Sequence, residues 1–66
     1  MTATDKTKLF RAIKTIEVQS DDTSPQRLRA AKALIRSYGV DADRYSDAQD
    51  LADALGVCGD YFAWAS

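Results

Sequence analysis

Cys58 is the only cysteine in a chain of 66 residues, and that count decides how such a molecule must hold itself together. No internal disulfide is available, and a chain this short buries only about 60% of the surface its unfolded form exposes. Stability must therefore come from an apolar core assembled by regular secondary structure. The supply is adequate: 45% of the residues are hydrophobic and 29% charged, the balance of a globular chain and not of a disordered one. Histidine is absent, which removes Ser-His-Asp and Cys-His catalysis together with every His-containing zinc site.

Hydrophobic periodicity then selects helices. Leu9, Ala12, Ile13 and Ile16 recur at helical spacing on one face, with Phe10 at its edge, and Lys8, Arg11 and Lys14 lie opposite. This predicts a first helix running to Glu17, capped by Thr4 or Asp5. Gln19 to Thr23 has no apolar residue and reads as a loop. Ser24-Pro25 opens a second helix, with serine as cap and proline where its missing N–H costs nothing. Leu28, Ala31, Leu34, Ile35 and Tyr38 make its buried face; Gly39 ends it, and Val40 packs back on Ile35. A third helix begins at the capping box Ser46-Asp47-Ala48-Gln49, buries Ala48, Leu51, Ala52 and Leu55, and stops at Gly56. A short fourth turn from Asp60, as cap, to Ala65 must be held by packing, because a segment of that length is not helical by propensity alone. No strand alternation competes. The expected fold is all-α: one domain, residues 1–66, a small bundle of three helices plus a short C-terminal helix or turn.

The net charge of −1 conceals a split. Residues 1–36 carry eight Lys+Arg against four Asp+Glu, a surplus of +4, and residues 37–66 carry one Arg against six Asp, a deficit of −5. Arg29, Lys32 and Arg36 form a basic stripe on the second helix; Asp47, Asp50 and Asp53 form an acidic stripe on the third. Such stripes are either solvated faces, paired with each other within the bundle or a dimer, or surfaces that steer a partner of opposite sign.

From Gln49 onward, Gln-Asp-Leu-Ala-Asp-Ala-Leu-Gly-Val-Cys resembles the helix-turn-helix unit of lambda-repressor-like DNA-binding domains. Ala52 stands at the small position where two helices cross, Leu51 and Leu55 at buried positions, Gly56 at the turn, Val57 after it and Phe62 in the core of the second helix. The resemblance covers Ser46 to Ala65, under a third of the chain, and implies a helix-turn-helix-like second half. In that family the second helix reads base edges. The matching positions here are Cys58, Gly59, Asp60, Ala63 and Trp64, and none carries the Arg, Lys, Asn or Gln side chains that read guanine and adenine. The preceding helix carries Asp47, Asp50 and Asp53 where the family meets phosphate, and carboxylates oppose the counterion release that drives DNA binding.

Other chemistry finds little support. Asp41 to Asp47 has the look of a calcium loop, but Ser46 replaces its glycine and Ala52 its bidentate glutamate, so Asp41 and Asp43 read as turn residues and caps. Cys58 has no partner base and reads as a small apolar residue. The glycines terminate helices and make no phosphate loop. We expect no catalytic residue, no metal and no cofactor. The first residues lack the apolar stretch of a signal peptide, and the longest apolar run, Tyr61 to Ala65, falls far short of the ~20 residues that span a bilayer. A cytoplasmic protein without membrane contact is expected.

The aromatic tail admits two readings. Tyr61, Phe62 and Trp64 either dock as a lid over Leu9, Ile13 and Leu51, or leave Trp64 or Tyr61 partly exposed as an interface anchor beside the acidic stripe. Two functions follow. In the first, Tyr61, Trp64, Asp47, Asp50 and Asp53 bind another protein, basic or itself nucleic-acid-binding, so that the chain is a regulatory inhibitor or adaptor; in a variant of this reading its acidic face mimics nucleic acid. In the second, Arg29, Lys32 and Arg36 contact DNA in a dimeric helix-turn-helix regulator. The sign and side chains of the recognition positions favour the first.

Overall fold

Thr2, and not Thr4 or Asp5, starts the first helix. Its hydroxyl accepts the Asp5 N–H at 3.1 Å while the Asp5 carboxylate accepts the Thr2 N–H at 3.3 Å, a reciprocal box that a start two or three residues later would forfeit. Hydrogen bonding from Thr2, side chain first and backbone second, holds the Asp5 carboxyl below its usual range. The structure is a computed structural model describing residues 2–19, 21–57 and 60–65. In chain order it comprises α1 (Ala3–Glu17), α2 (Pro25–Arg36), a 3-10 turn (Ala42–Arg44), α3 (Ala48–Ala54) and α4 (Tyr61–Ala65). The fold is an all-helical bundle, with no strand among the described residues.

α1 is the shared wall of that bundle: α2, α3 and α4 all pack on it, α4 also packs on α3, and the 3-10 turn packs on α2. The core therefore collects Leu9, Phe10, Ala12 and Ile13 from α1, Ala31 and Ile35 from α2, Ala42 from the turn, and Ala48, Leu51 and Ala52 from α3. Leu55, Val57 and Tyr61 complete it. Ile16, Leu34, Val40 and Ala65 lie half-buried around its margin. Phe10, at the edge of the apolar stripe by helical spacing, is buried because α4 covers that edge.

Further expectations at helix boundaries and faces change: Leu28, expected on the buried face of α2, is only half-buried and stays out of the core. Tyr38 does not join the buried face of α2. It lies beyond the end of that helix at 44% exposure, where the chain turns away through Gly39. Ser24 precedes Pro25 at the start of α2 as expected, but its hydroxyl makes no capping hydrogen bond. Ser46 does not cap α3. Asp47 does, accepting the N–H groups of Gln49 and Asp50 at 2.7 and 3.3 Å. A carboxylate at that place adds a full charge against the positive end of the helix, which a serine hydroxyl cannot supply. Gln49 is thereby released from the expected box. Asp41 caps the 3-10 turn as read, accepting the Asp43 N–H at 3.1 Å.

Candidate functional site

α4 is only five residues long and is fastened at both ends. At its start the Gln49 side-chain oxygen accepts the Tyr61 N–H at 3.0 Å, and the Asp60 carboxylate accepts the Phe62 N–H at 2.9 Å. Gln49 is oriented in turn, because its amide N–H donates to Asp53 at 3.0 Å. At the far end Lys14 reaches across from α1 and donates to the Ala65 carbonyl at 3.1 Å. These bonds satisfy N–H and C=O groups that a one-turn helix cannot pair internally. They also explain why such a short segment is helical at all.

With both ends held, the rotation of α4 is set, and its three aromatic side chains separate. Tyr61 is 0% exposed, edge-on to Phe10 at 5.6 Å, with its hydroxyl donating to Glu17 at 3.3 Å. Trp64 leans on Phe10 at 5.3 Å and stacks with Tyr61 at 6.1 Å, yet keeps 37% of its surface in solvent. Phe62 is 50% exposed and meets Tyr61 edge-on at 5.5 Å. Burial of the Tyr61 ring, the Glu17 charge and the hydrogen bond to it together push the phenol up to about 12.

The expected contact set is therefore redistributed. Tyr61 is no surface anchor; it is the largest of the fully buried side chains. Trp64 is partly exposed, as one of the two readings of the tail required. Phe62, expected in the core, faces outward instead. Helical spacing carried this signal: Tyr61, Trp64 and Ala65 share one face at i, i+3 and i+4, which turns Phe62 about 100° away from Tyr61. Cys58 and Gly59, two of the positions matched to base-reading residues, lie outside the described residues.

The acidic stripe is exposed throughout, but its members differ in occupation. Asp47 caps α3 and Asp53 receives the Gln49 amide, whereas Asp50 sits in the first turn of α3. Asp60 adds a fourth carboxylate beside α4. The basic stripe lies on the outer side of α2, where Arg29, Lys32 and Arg36 line a shallow groove with Pro25, Leu28 and Ala33. The two stripes do not meet within the molecule. Among the described residues the ion pairs are Lys32–Asp43 at 3.2 Å and Arg44–Asp41 at 4.0 Å, neither of which uses Asp47, Asp50 or Asp53.

Among the described residues no three His, Cys, Asp or Glu are grouped to hold a metal ion, and no helix is long and apolar enough to cross a membrane. No family model, curated protein or solved structure matches the chain.

Proposed function

We propose that this chain is a non-enzymatic regulatory module that binds another protein, an inhibitor or adaptor, through α4 and the acidic side of α3. One observation carries the reading: Phe62 and Trp64 stay 50% and 37% exposed on a helix whose rotation is locked by a fully buried Tyr61. Large aromatic side chains held rigid at a surface have little rotamer freedom left to lose on association, and tryptophan is enriched among residues that dominate binding energy. Asp50, Asp53 and Asp60 stand on α3 and at the head of α4, a carboxylate rim for an apolar centre. The sign of that rim calls for a basic partner, such as a protein surface that otherwise receives nucleic acid.

The test is capture from a lysate of the source cells on immobilised protein, with Phe62→Ala, Trp64→Ala and the pair Asp50→Asn, Asp53→Asn alongside. A partner retained by the wild type should be lost with the aromatic variants and should become less sensitive to salt with the asparagine pair. Equal retention by all of them would remove the reading.

The groove on α2 favours a second reading, DNA binding by a dimeric helix-turn-helix regulator, because Arg29, Lys32 and Arg36 line one face at helical spacing. Heparin at two salt concentrations separates the two. Strong, steeply salt-dependent retention that Arg29→Glu with Arg36→Glu abolishes supports DNA, and flow-through leaves protein binding ahead.

A further inference from the structure

Pro25, Leu28 and Ala33 form the apolar floor of an open groove of about 370 Å³ on the outer side of α2, and Arg29, Lys32 and Arg36 form its cationic rim. α2 turns Ala31 and Ile35 into the core, and of the groove's lining residues Lys32 reaches back to Asp43 of the 3-10 turn. The exposed ridge of α3 has the opposite character: Asp47, Asp50 and Asp53, with the small Ala54 beside them.

We propose that the α2 groove receives the acidic ridge of α3 from a second copy of this chain. The two surfaces match in sign, length and relief. Arg29 to Arg36 spans about 10.5 Å along a helix and Asp47 to Asp53 about 9 Å, so Arg29 and Arg36 meet Asp50 and Asp53 without a change of register, while Lys32 stays with Asp43 and Asp47 with the α3 cap. Ala33 and Ala54 are both exposed and both small, which lets two helices approach to the ordinary packing distance of about 8–10 Å. Among the described residues the ion pairs use Asp43 and Asp41 and none of the α3 carboxylates, although Asp47 caps α3 and Asp53 accepts from the Gln49 amide. A second copy is the one partner in which both surfaces are guaranteed.

Size sets the strength. A stable interface takes about 800 Å² from each partner. The molecule exposes 4518 Å² in all, and one outer face of a seven-residue helix supplies only a small part of that. Association is therefore weak and screened by salt. Because it covers Asp50 and Asp53, self-association competes with the partner proposed above and acts as a concentration-dependent mask. The inference rests on that reading only for the role of the acidic side of α3, and not for Phe62 or Trp64.

Sedimentation equilibrium tests it, from about 10 μM to about 1 mM protein, at low salt and at about 0.5 M salt. The expected result is a mass rising above 7.3 kDa at low salt and returning to it at high salt. Arg29→Glu with Arg36→Glu, and separately Asp50→Lys with Asp53→Lys, should each weaken association at least about tenfold. All these positions are exposed, so the helices should persist, which circular dichroism checks. The decisive sample is an equimolar mixture of the two variants, in which each acidic face again meets a basic one: association should return. A wild type that stays monomeric at low salt overturns the inference, as does a mixture that stays monomeric. So does a wild type whose α2 face is taken up by duplex DNA in preference to a second copy. The lysate experiment fails independently, since a monomer that still needs Phe62 and Asp50 for capture removes the self-association alone.

Discussion

The hydroxyl of Tyr61 donates to the carboxylate of Glu17 at 3.3 Å, joining the C-terminal helix to the end of the first across 44 residues of chain. Tyr61 holds its proton in the fold up to about 12, against 10.0 for a free phenol, because burial disfavours the phenolate and Glu17 repels it. The unfolded chain releases that proton earlier. The contribution is thus complete below about pH 10 and is lost as pH rises through about 12. Tyr61→Phe should cost about 1 kcal/mol at neutral pH, the value of one hydrogen bond whose acceptor stays solvated. Urea unfolding of both proteins at pH 7 and above pH 10 should show this gap closing as the wild type loses its advantage.

Asp47 and Ser46 separate two descriptions of where α3 begins. Asp47→Ala removes the acceptor of two backbone N–H groups and should cost about 1 kcal/mol. Ser46→Ala removes a side chain that caps nothing and should change stability by less than about 0.5 kcal/mol. Denaturant midpoints at constant slope decide between them. An equal loss at both positions would return the cap to Ser46.

How much of this could be read from the sequence depends on whether the controlling contact was local. α2 was legible because Pro25 and Gly39 punctuate it, and the buried set of α3 because Ala48, Leu51, Ala52 and Leu55 repeat at helical spacing. Caps were less legible: Thr2, Ser24, Ser46 and Asp47 are all competent side chains, and which one acts depends on a shift of one or two residues in chain direction. The division of the aromatic tail depends on Lys14 and Gln49, which reach α4 from 51 and 12 residues away. Composition and periodicity contain no trace of such contacts. Helical spacing alone pairs Tyr61 with Trp64, but those anchors, with Glu17 and Phe10, set which way the pair faces.

Gly39 and Gly56 have φ of +81° and +70°, and a β-carbon built at either would meet nothing within 4 Å. The cost of a substitution is therefore conformational and not steric. Gly39→Ala and Gly56→Ala should each destabilise by about 1–2 kcal/mol, the penalty of the left-handed region for a residue with a β-carbon. Asparagine at the same positions should cost less than alanine, because it tolerates that region better. Thermal unfolding of the four variants orders them. An alanine variant as stable as the wild type would mean that the helix end had rebuilt itself with negative φ.

Trp64 and Phe62 differ in what they do for the fold, which lets stability and binding be separated. Trp64 covers Phe10 and stacks on Tyr61, so Trp64→Ala should cost about 2 kcal/mol, less than the 3–5 kcal/mol of a fully buried aromatic side chain. Phe62 touches the Tyr61 ring edge-on and is half in solvent, so Phe62→Ala should cost about 1 kcal/mol or less. If both serve the binding face, both variants lose the partner, although only one loses much stability. Tryptophan fluorescence supplies the folding control for Phe62→Ala, since Trp64 is the sole tryptophan and its packing against Phe10 should survive. Loss of the partner with that emission unchanged assigns Phe62 to recognition. Loss of the partner only where the emission also shifts would mean that α4 binds nothing and merely closes the core.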